Sequence, residues 1–245
     1  MGFRNSIEKL QDKTLPLCSM VVAAAGSSTR MGGQDKLFAD LGGIPVLVRT
    51  LRAIDRATLV SEIVVAARED NMEAVAALCA EAGVKKRIKV VKGGATRTES
   101  VLAAALECDP KTGLIAIHDG ARPLVRPEMI DELIRAGYRT HAAAPAVGVK
   151  DTIKVADESG MVVATPERST LYAVQTPQVF QVNILRAALQ AVLASGETVT
   201  DDCAAVERLG KQVYLAAGDE ENIKLTTPTD FAVAEAILRR REAEV

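Results

Sequence analysis

The sequence has few of the features that mark disulfide-bonded, metal-binding or nucleic-acid-binding proteins. It holds 4 cysteines, which lie far apart and form no C-x-x-C pair: Cys18, Cys79, Cys108 and Cys203. This spacing argues against zinc ligation and against a disulfide framework, so we interpret them as buried thiols of a cytoplasmic protein. The net charge of −2 also argues against non-specific nucleic-acid binding, which requires a basic surface.

Long apolar segments are missing as well. Residues Met1–Thr14 are polar with mixed charge and lack the apolar core of a signal peptide, and no later apolar run has the length needed to span a bilayer. We therefore expect a cytoplasmic protein with neither membrane nor nucleic-acid partners. Of its 245 residues, 48% are hydrophobic and 25% are charged, which suits one large, well-buried domain over residues 1–245.

Short apolar runs alternate with amphipathic segments along the chain. The apolar runs predict strands at Leu17–Ala23, Glu62–Ala66, Ile88–Val91, Leu114–Ile117, Ala142–Val147 and Gln212–Leu215. The amphipathic segments predict helices at Pro45–Arg56, Asn71–Ala82, Thr98–Glu107, Pro127–Tyr138, Asn183–Ala194 and Thr229–Arg240. Such alternation predicts an α/β fold with a Rossmann-like, mostly parallel sheet that is covered by helices on both faces.

One segment, Gly148–Gln175, interrupts this alternation. It consists of short β-like pieces, Asp151–Val155, Met161–Ala164 and Leu171–Val174, around a turn at Asp157–Gly160. We interpret it as an inserted β-hairpin arm. Because isolated hairpins are marginally stable in water, we expect the arm to pack against something else, such as a second subunit.

The segment after the first predicted strand has the composition of a phosphate-binding loop. Ala23–Gly33 consists largely of glycine, alanine and serine and contains Arg30, and a second cation, Lys36, lies just beyond it. Small residues let backbone N–H groups approach a ligand closely, and a polyphosphate is the natural ligand of such a loop. The segment lacks the spacing of a Walker A loop. Ser28 stands where the dinucleotide fingerprint needs its second glycine, which argues against hydride transfer.

Two further groups of unusual residues follow predicted strands. Gly93–Arg97 comes directly after Ile88–Val91 and leads into a helix that holds Ser100, while His118–Pro123 follows Leu114–Ile117. In an open parallel sheet, ligands bind beyond the carboxyl ends of the strands. We therefore expect these groups and the first loop to meet on one rim and to form a nucleotide site.

Together, these segments resemble a known enzyme family. The matching motifs are Ala23–Gly26, Arg30–Gly32, Gly93–Gly94 with Arg97 and Ser100, His118–Pro123, Lys150–Lys154, Gln175–Gln178, Thr200–Asp202 and Asn222–Thr226. In this order, from Leu17 to the last helix, the chain resembles the nucleotidyltransferases that activate sugar phosphates. Within them it is most similar to the 2-C-methyl-D-erythritol 4-phosphate cytidylyltransferases of isoprenoid biosynthesis.

The resemblance implies Mg²⁺-dependent transfer of CMP from CTP to 2-C-methyl-D-erythritol 4-phosphate, with release of pyrophosphate and without a protein nucleophile. It implies that the transferring phosphate is stabilised by Arg30, Lys36 and Lys224. It assigns CTP binding to Ala24, Ala25, Gly26, Ser27, Gly94, Ser100 and Gly120. It assigns acceptor binding to Asp119, Arg122, Thr152, Arg168, Thr176 and Thr200. Of these, Thr152 and Arg168 would reach across a homodimer formed through the 148–175 arm, and Mg²⁺ would be held mainly by the CTP phosphates rather than by protein ligands.

Three positions depart from the family pattern. Asp35 stands where proline is usual, Ala95 where an aspartate is common, and Thr29 where a second basic residue is frequent. Two other functions stay open. A ribitol 5-phosphate cytidylyltransferase would share the nucleotide loop and the Thr176–Gln178 motif. A non-catalytic nucleotide sensor would share the fold, although the retention of all three implied catalytic cations argues against it.

Overall fold

A computed structural model describes residues 15–26 and 35–243 of the chain. Its strands are β1 (Leu17–Ala24), β2 (Asp40–Leu41), β3 (Ile44–Pro45), β4 (Val60–Ala67), β5 (Arg87–Lys92), β6 (Thr112–Asp119), β7 (Ala142–Gly148), β8 (Val155–Ala156), β9 (Val162–Ala164), β10 (Tyr172–Val174), β11 (Gln178–Gln181) and β12 (Tyr214–Ala217). Its helices are α1 (Val46–Arg56), α2 (Met72–Glu81), α3 (Arg97–Leu106), α4 (Pro127–Thr140), α5 (Val182–Ser195), α6 (Asp202–Arg208) and α7 (Pro228–Ala243). Short 3₁₀ turns lie at Glu69–Asn71 and Arg168–Thr170.

Within the described residues, one sheet of eight strands forms the centre of the fold. From one edge to the other, its strands follow the order β5, β4, β1, β6, β11, β7 and β12, and β10 pairs with β7 beside β11. The strands β5, β4, β1 and β6 are parallel, whereas β11 is antiparallel to both β6 and β7. The predicted mostly parallel α/β sheet is therefore confirmed.

Alternating side chains of the central strands feed two hydrophobic clusters, one on each face of the sheet. In β1, Met20 and Val22 face the cluster that contains residues of α1, α2 and α4, whereas Val21 faces the cluster built with α3, α5 and α6. All three side chains have no exposed surface. Because both faces are covered, such strands appear in the sequence as continuous apolar runs rather than as alternating patterns.

The last helix closes one end of the fold and fixes the segment before it. Ala234 of α7 packs with Leu41, Leu124 and Leu225 in a third, smaller cluster. Ion pairs reinforce this contact, since Glu221 pairs with Arg241 at 2.7 Å and with Arg126 at 2.9 Å. The chain between β12 and α7 is thereby held against the body of the protein.

The structure corrects the prediction around the inserted segment. The piece predicted at Leu171–Val174 belongs to the central sheet as β10, and β11 was not predicted at all. The arm itself consists of the antiparallel pair β8 and β9, while Asp151–Lys154 form no strand. Between Lys150 and Thr170 every side chain except that of Pro166 is exposed. Among the described helices, none combines the length and apolar character needed to cross a bilayer.

Candidate active site

A cleft of about 680 Å³ opens at the carboxyl ends of β1, β4, β5 and β6. Its floor is made of small residues from the ends of β1 and β5, and charged side chains surround it. The lining residues are Ala23, Ala24, Ala25, Gly26, Lys36, Leu37, Arg68, Glu69, Lys92, Gly93, Gly94, Ala95, Thr96, Arg97, Ser100, Asp119, Ala121 and Lys224. The three segments expected on one rim therefore do meet in a single cleft.

Many of the residues singled out from the sequence lie in this cleft. They are Ala24, Ala25, Gly26, Lys36, Gly94, Ser100, Asp119 and Lys224. Ser27 and Arg30 lie outside the described residues. The cleft thus joins the first loop to Lys224, a residue near the other end of the chain.

The glycine pair after β5 lets the backbone lie close to the end of β1. A Cβ atom added at Gly93 would lie 2.7 Å from the Ser100 hydroxyl oxygen and 3.0 Å from Ala25 Cβ, so a larger residue would displace one of them. The Gly94 N–H donates to Ser100 Oγ at 3.1 Å, and that hydroxyl donates to the Thr96 carbonyl at 2.8 Å. Ser100 is consequently fixed at the first turn of α3, whose N-terminus faces the cleft and favours an anion.

Asp119, at the end of β6, is the anionic centre of the cleft. Its Oδ2 atom lies 2.9 Å from Lys224 Nζ and 3.5 Å from Arg122 Nε. Burial alone would raise the pKa of Asp119, but Lys224, Arg97 and Arg122 lower that pKa to about 2. The carboxylate therefore stays ionised at neutral pH and fixes the Lys224 ammonium at the cleft wall.

A chain of hydrogen bonds beneath the cleft holds Asp119 in place. His118 Nε2 lies 3.2 Å from the Arg122 carbonyl, which can only accept, so Nε2 carries the proton. Nδ1 then accepts from the Thr176 hydroxyl at 3.0 Å, and Thr176 Oγ1 accepts from the Asp119 N–H at 3.1 Å. Burial lowers the pKa of His118 to about 4, so its ring is neutral and serves as a structural link.

The Asn222 side chain continues this support toward Lys224. Its Nδ2 donates to the Thr176 carbonyl at 2.8 Å, and the backbone carbonyl of Asn222 accepts from Arg122 Nη1 at 2.6 Å. Asn222 has no exposed surface. Thr176 and Arg122, both implied acceptor-binding residues, thus connect the end of β6 to the segment that carries Lys224.

The sequence interpretation missed a buried ion pair on the other side of Asp119. Arg97, the first residue of α3, lies with Nη2 2.6 Å from Asp202 Oδ2, and Asp202 is 1% exposed. Burial raises the pKa of Asp202, an effect that Arg97 opposes. Asp201, next to this pair, caps α6 by accepting from the Ala204 N–H at 2.9 Å. The sequence contained Arg97 in a motif but gave no signal for its partner.

Other predicted residues lie outside the cleft lining. Gly120 packs against β1, where its N–H donates to the Ala23 carbonyl at 3.1 Å. Thr152 and Arg168 are exposed on the arm, and Arg168 Nη1 donates to the Lys150 carbonyl at 3.0 Å. Thr200 is exposed directly before α6. The assigned roles of these residues stay predictions.

The side chains of the cleft suit a metal ion that is bound mainly by the phosphates of a nucleotide. Among residues 15–26 and 35–243, no group of three or more acidic, histidine or cysteine side chains could hold a metal ion. Asp119 is an ionised carboxylate on the cleft wall, and Mg²⁺ commonly combines one or two carboxylates with substrate phosphates and water. A nucleotide-bound Mg²⁺ that takes most of its ligands from phosphate oxygens therefore fits this cleft.

A mostly parallel α/β sheet with a small-residue, cation-lined cleft at its carboxyl edge defines a nucleotide-binding α/β protein. Comparison with known proteins narrows this class. The family model of 2-C-methyl-D-erythritol 4-phosphate cytidylyltransferase (IspD) matches residues 18–240. The chain belongs to this family.

Curated relatives and solved structures agree with the assignment. The chain is 43% identical over 228 residues to the 2-C-methyl-D-erythritol 4-phosphate cytidylyltransferase of Caldanaerobacter subterraneus, covering 91% of this chain and 99% of the relative. It is 45% identical over 221 residues to that of Symbiobacterium thermophilum, covering 90% and 92%. The crystal structure of 4-diphosphocytidyl-2C-methyl-D-erythritol synthase from Anaerococcus prevotii matches with a TM-score of 0.82 at 32% identity, covering 91% of this chain and 99% of that chain.

Proposed function

We propose that this chain is a CTP-dependent cytidylyltransferase that transfers CMP to 2-C-methyl-D-erythritol 4-phosphate, forming 4-diphosphocytidyl-2-C-methyl-D-erythritol and pyrophosphate in isoprenoid biosynthesis. The observation that supports it most directly is the cleft itself. There Lys36, Lys224 and Asp119 share one wall with the small residues at the ends of β1 and β5. These are the parts needed to bind a nucleoside triphosphate and a charged acceptor side by side. Membership of the cytidylyltransferase family supplies the identity of the two substrates.

The proposed reaction is a direct displacement at phosphorus. An oxygen of the acceptor phosphate forms a bond to the α-phosphorus of CTP, and the bond from that phosphorus to the β-phosphate bridging oxygen breaks. Pyrophosphate leaves with the electron pair of the broken bond. Because the attacking phosphate is already ionised at neutral pH, no protein base or nucleophile is required.

Lys36 and Lys224 supply the fixed positive charge for this displacement, together with Arg30 from the first loop. Both lysines line the cleft, and Asp119 holds Lys224 at 2.9 Å. Fixed charges in a site that excludes water stabilise the developing charge of the transition state without reorganisation. Mg²⁺ bound to the phosphates of CTP would neutralise further negative charge on the transferring group.

The cytidine would lie against Ala24, Ala25, Gly94 and Ser100. This part of the cleft offers backbone polar groups and one hydroxyl that is fixed by its bond to Thr96. The acceptor would bind next to Asp119, the wall residue that the Thr176 and Arg122 contacts orient. Small residues on the nucleotide side leave room for a pyrimidine ring.

A homodimer formed through the 148–175 arm belongs to the same proposal. The arm presents exposed apolar side chains that no described residue covers, among them Val155, Met161, Val162 and Val163. A second copy would bury them and would bring Thr152 and Arg168 toward the acceptor side of its neighbour's cleft. We also propose that residues 1–245 form one nucleotidyltransferase domain, since the eight strands of the central sheet are drawn from the whole stretch between Leu17 and Ala217. A cytoplasmic location stays a prediction from the sequence.

The test is a substrate panel with a matched variant. Wild-type protein with CTP and Mg²⁺ should release pyrophosphate when 2-C-methyl-D-erythritol 4-phosphate is added, and release only with ribitol 5-phosphate would overturn the choice of acceptor. Lys36→Ala should lower kcat by roughly 10²–10³ while CTP still binds, the scale for losing one electrostatic stabiliser. Lys211→Ala, which removes an exposed lysine away from the cleft, is the control. Equal turnover of Lys36→Ala and wild type would contradict the catalytic assignment.

A further inference from the structure

Arg68, directly after β4, contacts the chain on both sides of the first loop. Its Nη1 donates to the Gly26 carbonyl at 3.1 Å and pairs with Asp35 Oδ2 at 3.3 Å. Gly26 precedes residues 27–34 and Asp35 follows them. The same guanidinium therefore holds the end of β1 and the start of the turn that carries Lys36.

Asp35 is built into that turn rather than exposed beside it. Its Oδ1 accepts from the Leu37 N–H at 3.2 Å, its carbonyl accepts from the Phe38 N–H at 3.0 Å, and its Oδ2 accepts from Asn71 Nδ2 at 3.2 Å. The Asp35 side chain is 16% exposed. The backbone from which Lys36 projects is consequently tied to the end of β4 by Arg68 and Asn71.

We propose that Arg68 is a positioning residue for nucleotide transfer, and that with Asp35 it sets where Lys36 stands relative to Gly26 across the cleft. The inference rests on the proposed function, in which Lys36 acts on the transferring phosphate. The ion pair with Arg68 and the hydrogen bond from Asn71 restrain the turn from the side of β4. A small displacement of Lys36 should lower the rate strongly, because a group stabilises the transition state only when it is correctly oriented toward the reacting atoms.

Neutralising Asp35 distinguishes two roles of Arg68, which are positioning Lys36 and binding a phosphate directly. Arg68 lines the cleft, so it could also bind a phosphate itself. In that case Asp35 only competes for the guanidinium and repels the triphosphate, and Asp35→Asn should keep or raise the rate. If the pair positions Lys36, Asp35→Asn should lower the rate as Arg68→Gln does, although it removes a negative charge next to a polyphosphate site.

The experiment measures kcat and the KM for CTP in Arg68→Gln, Asp35→Asn and the double variant. Each single variant should lower kcat by about tenfold and change KM by less than about threefold, because the contact serves the transition state. The kcat of the double variant should be no lower than that of the less active single variant. In a Lys36→Ala background, adding Arg68→Gln should not lower kcat any further. Asp70→Asn is the matched control, because Asp70 accepts from Arg68 Nε at 2.9 Å without contacting the loop ends.

The possible outcomes separate this inference from the proposed function. Wild-type protein that releases no pyrophosphate from the two substrates would overturn the proposed function. An active wild type with an unimpaired Asp35→Asn variant would overturn the inference alone, as would strictly additive losses in the double variant. Urea unfolding of each variant identifies any that does not fold. If Arg68→Gln does not fold, the test uses Asp35→Asn and Arg68→Lys instead. A kcat of Asp35→Asn equal to that of wild type would still contradict the inference.

Discussion

The Lys224 ammonium lies 2.9 Å from Asp119 Oδ2. Lys224, which the family resemblance assigns to the transferring phosphate, is thus held by Asp119, which it assigns to the acceptor. A phosphate that enters the cleft meets a lysine whose position is already set by an ionised carboxylate. The two halves of the proposed reaction are therefore joined by a single ion pair.

Asp119→Asn should destabilise the protein in a pH-dependent way. Burial opposes ionisation, but Lys224, Arg97 and Arg122 lower the folded-state pKa from 3.8 to about 2. A depressed carboxyl pKa contributes stability that is present above about pH 4 and is lost as pH falls toward about 2, here about 2 kcal/mol. Urea unfolding of wild type and variant should therefore differ most near neutrality and converge in acid. A constant difference down to the acid limit would contradict this account.

His118 should dominate a second pH dependence at milder acidity. Burial lowers its pKa from 6.5 to about 4 in the folded state, so between these values the unfolded chain binds a proton that the folded protein excludes. Stability should accordingly be complete above about pH 6.5 and fall by about 3 kcal/mol as pH drops to about 4. His118→Gln should flatten this part of the curve of unfolding free energy against pH. His141→Asn is the control, because His141 is exposed at the end of α4 and lies outside the Thr176 network.

The Arg97–Asp202 pair, in which Asp202 is buried and the Arg97 side chain is 35% exposed, should weigh more than fully exposed pairs. Asp202→Asn removes the charge-assisted hydrogen bond to Arg97, which keeps Asp119 and Asp201 nearby, and should lower the free energy of unfolding by about 2 kcal/mol. Removing both charges, with Arg97→Gln added, should cost less than the sum of the single changes. Glu235→Gln is the control, since it breaks an exposed pair with Arg239 at 3.6 Å and should cost under about 0.5 kcal/mol. Equal effects at the two sites would show that burial of Asp202 has no energetic weight.

Val163→Asp should weaken self-association through the arm. Val163 is 61% exposed on β9, and a carboxylate there would have to be desolvated in an interface between two arms. Sedimentation velocity should show a larger fraction of monomer, and turnover per chain should fall if the arm completes a neighbouring cleft. Leu106→Asp, at an exposed apolar position on α3, is the matched control and should leave the association unchanged. An identical sedimentation profile for both variants would exclude the arm as the interface.

The central sheet and the cleft were predictable because their signals are local. β1, β4 and β6 are buried on both faces, so each appears as an apolar run followed by small or charged residues. The edge strand β5 is only partly buried, and its signal is the short apolar core Val90–Val91 before the Gly93–Gly94 pair. β11 was missed because its four residues are too few for a periodic pattern, and because Gln178 and Gln181 flank only two apolar side chains. Its assignment depends on pairing with β6 and β7, which are distant in the sequence.

The contacts that organise the cleft were not predictable for a similar reason. Arg97 and Asp202 occur in separate motifs, and nothing in either motif specifies that the two charges meet beside the cleft. Arg68 belongs to no motif and looks like a solvated charge after a strand. Only the fold brings it between Gly26 and Asp35. Sequence patterns therefore predicted which segments form the site but not which side chains hold those segments together.

The position of Lys224 along the chain has a consequence for local stability. The segment that carries it follows every strand of the central sheet, and Asn222 and the Arg241–Glu221 pair fix it in place. Because this segment contributes no strand to that sheet, local opening there would withdraw Lys224 from the cleft without unpairing any strand of the sheet. The sheet and the cleft can therefore lose their integrity separately.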